Sequence, residues 1–154
     1  MKVWRILKSK CKSSAFSGNG AEKTGGRWNN KGHPLVYTSE NLSLAALELF
    51  VHVQPDTIPT DLIAVCGILP DSISVEEIKV SDLPKDWRRY PAPAKLKQIG
   101  TDWIIGQSSL ALRVPSAINA QETNILLNPA HAEFKKLKIE EEQPFFFDPR
   151  MFKK

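Results

Sequence analysis

The residue best placed to do chemistry in this sequence is Glu48, which stands among Leu44, Leu47, Leu49, Phe50 and Val51. A carboxylate in such company loses solvation unless something pairs with it. Two readings follow: a carboxylate held for a task, or a surface glutamate on a narrow polar strip shared with Asn41 and His52. The run Gly25-Gly26-Arg27-Trp28-Asn29 is a second candidate. Two glycines free its backbone to approach a ligand, and Arg27 offers planar, always-charged donors to a phosphate; the alternative is a flexible turn carrying a solvated arginine. Neither the G-x-G-x-x-G pattern after a strand nor a G-K-[ST] ending is present, so it is not a dinucleotide fingerprint or a P-loop. Tyr37 is either a core aromatic or a stacking wall for a flat ring. Ser116 follows Val114-Pro115 without a G-x-S-x-G elbow, which points to a binding rather than an attacking hydroxyl. Asn124 and Asn128 could bind a ligand or close turns before Pro129.

Other chemistries find little support. His33, His52 and His131 lie far apart, with no H-E-x-x-H spacing and no cysteine close by, so no metal is expected. Cys11 and Cys66 are too few for a disulfide scaffold and form no C-x-x-C pair; idle thiols are expected. The net charge of +4 suits an anionic ligand, but the basic residues are scattered and pair closely only at Arg88–Arg89, Lys135–Lys136 and Lys153–Lys154. Direct DNA binding is therefore not expected.

These residues need a scaffold. With 154 residues, 42% hydrophobic and 25% charged, the composition is that of one globular domain spanning 1–154. Apolar runs such as Ile63 to Leu69 fall far short of the ~20 residues of a membrane span. Charges at Arg5, Lys8, Lys10 and Lys12 preclude a signal-peptide core, so a cytoplasmic location is expected. Val3 to Leu7 reads as a strand with Trp4 and Ile6 on one face and Val3, Arg5 and Leu7 on the other. Ser9 to Pro34 reads as a long functional loop, and Leu35 to Ser39 as a short strand. Glu40-Asn41 starts a helix from Leu42 to Val53, ended by Pro55 and Pro59 and so apolar that it should be largely buried. Strands are expected at Leu62 to Leu69 and Ile73 to Val80, then a Pro-rich link near Pro84, Pro91 and Pro93 and a helix from Ala94 to Gly106. Leu110 to Val114, Asn124 to Leu127 and Phe145 to Phe147 complete the set. The pattern is an α+β single domain, a mixed sheet with few helices.

Taken in order, W-R-I at Trp4 to Ile6, G-G-R-W-N at Gly25 to Asn29, V-Y-T-S-E at Val36 to Glu40, A-L-E-L at Ala46 to Leu49, V-P-S-A at Val114 to Ala117 and N-I-L-L-N-P-x-H at Asn124 to His131 resemble the RES-domain family. The resemblance spans nearly the whole chain, and the family's name-giving arginine, glutamate and serine fall on Arg27, Glu48 and Ser116. It implies a single RES domain with an ADP-ribosyltransferase-like fold, and a toxin of a bacterial type II toxin–antitoxin pair that degrades NAD⁺ at the nicotinamide–ribose bond. The implied partner is a Xre-like helix-turn-helix antitoxin that covers the active site. NAD⁺ would be the substrate and no further cofactor is implied.

By the same resemblance, Arg27 would hold the pyrophosphate, Tyr37 would pack against nicotinamide, and Glu48 would steady the charge growing on the ribose. Arg5, Asn29, Ser116 and Asn124 would form the rest of the pocket. ADP-ribosyltransferases usually place the catalytic glutamate late in the chain beside a second Glu or Gln, whereas Glu48 is early and helical. The acceptor could be water or inorganic phosphate. Alternatives are an ADP-ribosyltransferase acting on a protein or small molecule, and a non-catalytic nucleotide-binding module.

Overall fold

The computed structural model describes residues 1–54 and 57–152. Pro55, expected to help end a helix, and the Lys153–Lys154 pair lie outside the described residues. Strands β1 (Lys2–Lys8), β2 (Val36–Ser39), β3 (Leu62–Ile68), β4 (Val75–Glu77), β5 (Ala111–Pro115), β6 (Thr123–Leu127) and β7 (Lys138–Phe145) form one sheet in the order β4-β5-β6-β2-β1-β3-β7. The β4–β5 pair is parallel and the remaining pairs are antiparallel. Helices α1 (Asn19–Thr24), α2 (Leu42–Phe50) and α3 (Ala94–Gly106) join them. The fold is of the expected α+β class.

Side-chain alternation along the strands makes two apolar faces. Val3, Val36, Val65, Ile125 and Leu127 pack with Phe16 on one. On the other, Leu112, Val114 and Leu126 pack against Trp28, Leu96, Trp103 and Ile104, while Ile6 and Ala64 pack against Ala45 and Phe147. Helix α3, expected over Ala94 to Gly106, buries an apolar stripe of Leu96, Trp103 and Ile104, and Ile99 packs at its margin. Gly100 on the same helix has no room for a side chain, because a Cβ there would overlap the carbonyl oxygen of Trp28.

Several elements differ from expectation. The segment Ser9 to Pro34 is not a plain loop: it holds a 3-10 turn at Ser9–Ser14 and α1, and it buries Phe16, Trp28 and Asn29. Helix α2 starts where expected, with Asn41 Oδ1 accepting from the Leu44 N–H at 2.8 Å, but it stops at Phe50 rather than Val53. Nor is it largely buried: Leu44 and Ala45 meet the sheet, whereas Leu47 is 37% exposed and Val51, just past the helix end, is 55% exposed, since the sheet covers only one side of the helix. In place of a strand from Ile73 to Val80 there is the short β4 and a 3-10 turn at Val80–Asp82. The last strand is β7, ending at Phe145, so Phe147 lies beyond it and packs its ring on Phe50 and Phe145.

Candidate active site

The sheet is least zipped between β1 and β2. These neighbours share one register pair, Trp4 with Ser39, whereas β1 and β3 are paired from Lys2–Ile68 to Lys8–Leu62. A cleft of about 350 Å³ opens at that divergence. It is lined by Trp4, Arg5 and Ile6 of β1, by Tyr37, Thr38 and Ser39 of β2, by Ala45, Glu48 and Leu49 of α2, and by His52 and Asn124. The pairings Trp4–Ser39, Ser39–Asn124 and Tyr37–Leu126 put Trp4, Tyr37, Ser39 and Asn124 on the sheet face that α2 covers.

Glu48 has partners. Its Oε1 accepts from Ser116 Oγ at 2.7 Å and from Asn124 Nδ2 at 2.5 Å. Each partner is itself fixed. Ser116 is fully buried and its Oγ accepts the N–H groups of Ile118 at 3.1 Å and Asn119 at 3.2 Å, so its proton is directed at Glu48. Asn124 Oδ1 accepts from Ser39 Oγ at 2.7 Å, which orients its amide with the nitrogen toward Glu48. One carboxylate oxygen is thus anchored to the β5–β6 end of the sheet while the residue lines the cleft, an arrangement that can oppose a positive charge without reorganising.

Tyr37 is held at its hydroxyl, which accepts from the Trp28 N–H at 2.9 Å and donates to Asn29 Oδ1 at 2.8 Å. Burial raises the phenol well above its ordinary range, opposed by the Trp28 N–H and by the charge of Arg27. Gly26 must lack a side chain here, because a Cβ would overlap that hydroxyl. Arg27 donates through Nη1 to Trp87 O at 2.7 Å and Arg89 O at 3.2 Å. Its pKa is lowered by burial, with Glu48 and Tyr37 acting in the opposite direction, which puts all three in one electrostatic neighbourhood. Arg27 is therefore tethered, not the solvated arginine of a flexible turn.

Three residues expected at the pocket are not among those that line the cleft: Arg27, which is held on the Trp87 and Arg89 carbonyls, Asn29 and Ser116. Asn29 is fully buried and its Nδ2 donates to Ala21 O, Asn30 O and His33 O while its Oδ1 receives Tyr37, so it positions Tyr37 and has no face toward the cleft. Ser116 likewise is not a cleft-lining residue and acts on Glu48. Arg5 borders the cleft, but alternation points its guanidinium to the Val3 face, where Nη1 donates to Ala15 O at 2.6 Å and burial lowers its pKa. Asn128 closes its turn, with Nδ2 donating to Ile104 O and Oδ1 accepting from the Ala130 N–H. Trp4, Ile6, Thr38, Ser39, Ala45, Leu49 and His52 also line the cleft, although none stands out in the sequence as a site residue. Ser39 follows Tyr37 by two on one strand, and His52 follows Glu48 by one helical turn, signals available in the spacing.

Among the described residues, no group of three His, Cys, Asp or Glu side chains could hold a metal ion, and no helix is long and apolar enough to cross a membrane. Comparison with known proteins adds the following. Residues 2–148 match the RES domain. The chain is 40% identical over 153 residues to "Toxin Res" of Yersinia enterocolitica, covering 98% of this chain and 99% of that protein. It is 37% identical over 155 residues to "Prs ADP-ribosylating toxin" of a Sphingobium species, covering 98% and 96%. The fold resembles that in the crystal structure of the Mycobacterium tuberculosis MbcT–MbcA toxin–antitoxin complex, with a TM-score of 0.76 at 15% identity over 98% of this chain and 86% of the other. With a match across nearly its whole length and toxins among its relatives, the chain belongs to the RES-domain family.

Proposed function

We propose that this chain is the toxin of a toxin–antitoxin pair and consumes NAD⁺ by breaking the bond between nicotinamide and ribose. The observation that carries the reading is the Glu48 carboxylate, fixed by Ser116 and Asn124 and lining the cleft between β1 and β2. When the bond breaks, its electron pair goes to the nicotinamide nitrogen, which leaves neutral. The positive charge then lies on the ribose anomeric carbon and ring oxygen, as in glycoside cleavage. A carboxylate already oriented there stabilises that charge more than it stabilises the ground state. Arg27, with Nη1 held on two carbonyls, retains Nε and Nη2 for the pyrophosphate, and Tyr37, fixed at its hydroxyl, offers its ring to nicotinamide.

The described lining of the cleft guides the choice of acceptor. Among the described residues that line the cleft, Glu48 is the only carboxylate, so none of them offers water a second carboxylate to take its proton. Inorganic phosphate is already anionic and needs no base. In this reading a phosphate oxygen bonds to the anomeric carbon and ADP-ribose 1″-phosphate is the main product, with hydrolysis to ADP-ribose as a background. A Xre-like helix-turn-helix antitoxin would cover the cleft, and the exposed Leu47 of the adjoining helix and Val51 just past its end suit such a cover. NAD⁺ consumption would take place in the cytoplasm.

A second reading, transfer of ADP-ribose to a protein, is favoured by the Sphingobium relative whose name says that it ADP-ribosylates Prs. Product masses after incubation with NAD⁺, in phosphate-free buffer and in millimolar phosphate, test both. Phosphate-accelerated NAD⁺ loss with ADP-ribose 1″-phosphate is expected. Equal rates with plain ADP-ribose would make water the acceptor, and label transferred from NAD⁺ to a protein would favour the second reading. Saturable binding without nicotinamide release would reduce the chain to a nucleotide-binding module.

A further inference from the structure

Residues 87–89 join the two halves of the site. Trp87 and Arg89 present their carbonyl oxygens to Arg27 Nη1 at 2.7 and 3.2 Å. Between them, Arg88 turns the other way: its Nε donates to Ala117 O at 2.8 Å and its Nη2 to Ile118 O at 3.0 Å. Ala117 and Ile118 directly follow Ser116, and the Ile118 N–H is one of the two donors that fix Ser116 Oγ. Ile118 therefore receives Arg88 at its carbonyl and holds Ser116 at its N–H. Two parallel bonds from one guanidinium fork set the orientation of this turn in a way a single donor does not.

We infer that Arg88 is a positioning residue for Glu48, acting through the turn that holds Ser116. The inference rests on the proposed NAD⁺ turnover for its kinetic part only. Trp87 is buried beside Trp28 and Trp103 and stays anchored without Arg88, so the carbonyl that receives Arg27 is retained. Loss of Arg88 should thus reach the carboxylate side of the site, not the phosphate side. A small displacement of a positioned carboxylate is felt strongly in the chemical step.

Hydrogen exchange at the Ile118 and Asn119 amides, with steady-state kinetics on NAD⁺, tests this in Arg88→Ala, Arg88→Lys, Ser116→Ala and the double variant Arg88→Ala/Ser116→Ala. In Arg88→Ala both amides should exchange about tenfold faster or more, with strand amides unchanged. Turnover should fall about tenfold with KM for NAD⁺ within about twofold, since binding energy is little affected. Lysine, able to reach one carbonyl but not both, should restore part of each. In the Ser116→Ala background the Arg88 change should have almost no further kinetic effect, because both act on one contact. Wild-type exchange rates at both amides in Arg88→Ala, or in Arg88→Lys should the alanine variant not fold, would overturn the inference. So would a turnover loss equally large with and without Ser116, which would mean that Arg88 acts elsewhere. A wild-type chain that releases no nicotinamide would contradict the proposed function, and the exchange data would still decide the role of Arg88.

Discussion

Ser116 and Glu48, 68 residues apart in the chain, share a 2.7 Å hydrogen bond in which the serine is the donor. The direction is fixed by the two backbone N–H groups that occupy the acceptor side of the same oxygen. A fully buried serine with no cleft-facing surface thereby becomes part of the site through the carboxylate it holds.

Ser116→Ala should accordingly lower NAD⁺ turnover by about tenfold while leaving KM little changed, the pattern of a lost transition-state contact. It should also cost about 1–2 kcal/mol of stability, because the Ile118 and Asn119 N–H groups lose their acceptor. Kinetics and urea denaturation of the one variant read both effects. A raised KM with unchanged turnover would instead make Ser116 a substrate-binding residue.

Arg27→Lys should impair NAD⁺ use although charge is conserved. An ammonium cannot hold two backbone carbonyls and still present a flat pair of donors to pyrophosphate. Arg27→Ala should be worse, with a loss of about 2–5 kcal/mol in kcat/KM, the scale for truncating one partner of a charged contact. Steady-state kinetics on NAD⁺ for the two variants give the comparison, and equal activity of lysine and arginine would reject the two-pronged contact.

Tyr37→Phe leaves the Trp28 N–H and Asn29 Oδ1 without their shared partner and should destabilise the fold by about 1–3 kcal/mol near neutral pH. The pH dependence has a definite sign. Burial raises the folded phenol above its unfolded value of about 10. Above that pH the unfolded chain binds fewer protons than the folded chain, so the stability due to Tyr37, fully present below about pH 10, is lost as pH rises toward the folded pKa. Urea midpoints of wild type and Tyr37→Phe between about pH 8 and 11 should therefore converge. A gap that stays constant over this range would contradict the buried, hydrogen-bonded phenol.

Much of this architecture was legible from periodicity. The alternation of β1, the cap and start of α2, and the apolar stripe of α3 follow from local spacing, and the structure keeps them. What local spacing could not reveal is held by contacts without a period. The segment from Ser9 to Pro34 is ordered by Asn29 bonding to Ala21 O and His33 O, and by Trp28 packing on Gly100. The β7 sequence KIEEEQPF lacks alternation because it is an exposed edge strand, its charged residues facing solvent. Helix α2 reads as buried from composition, yet burial depends on what covers each side, and the sheet covers one. The unusual setting of Glu48 was visible in the sequence, but its partners were not. Ser116 and Asn124 reach it only because β6 pairs with β2 and β2 with β1, an order no residue spacing specifies.

In the proposed function the Glu48 carboxylate promotes cleavage of the nicotinamide–ribose bond. Nicotinamide released from NAD⁺ by purified wild type and Glu48→Gln, each with its thermal unfolding recorded, tests it most directly. The amide keeps the shape but not the charge, and removal of an electrostatic stabiliser of this kind costs about 10²-fold or more. Wild type should release nicotinamide steadily, and Glu48→Gln should still fold and lose at least ~10² in rate. A folded Glu48→Gln chain that releases nicotinamide at the wild-type rate would contradict this role of the carboxylate.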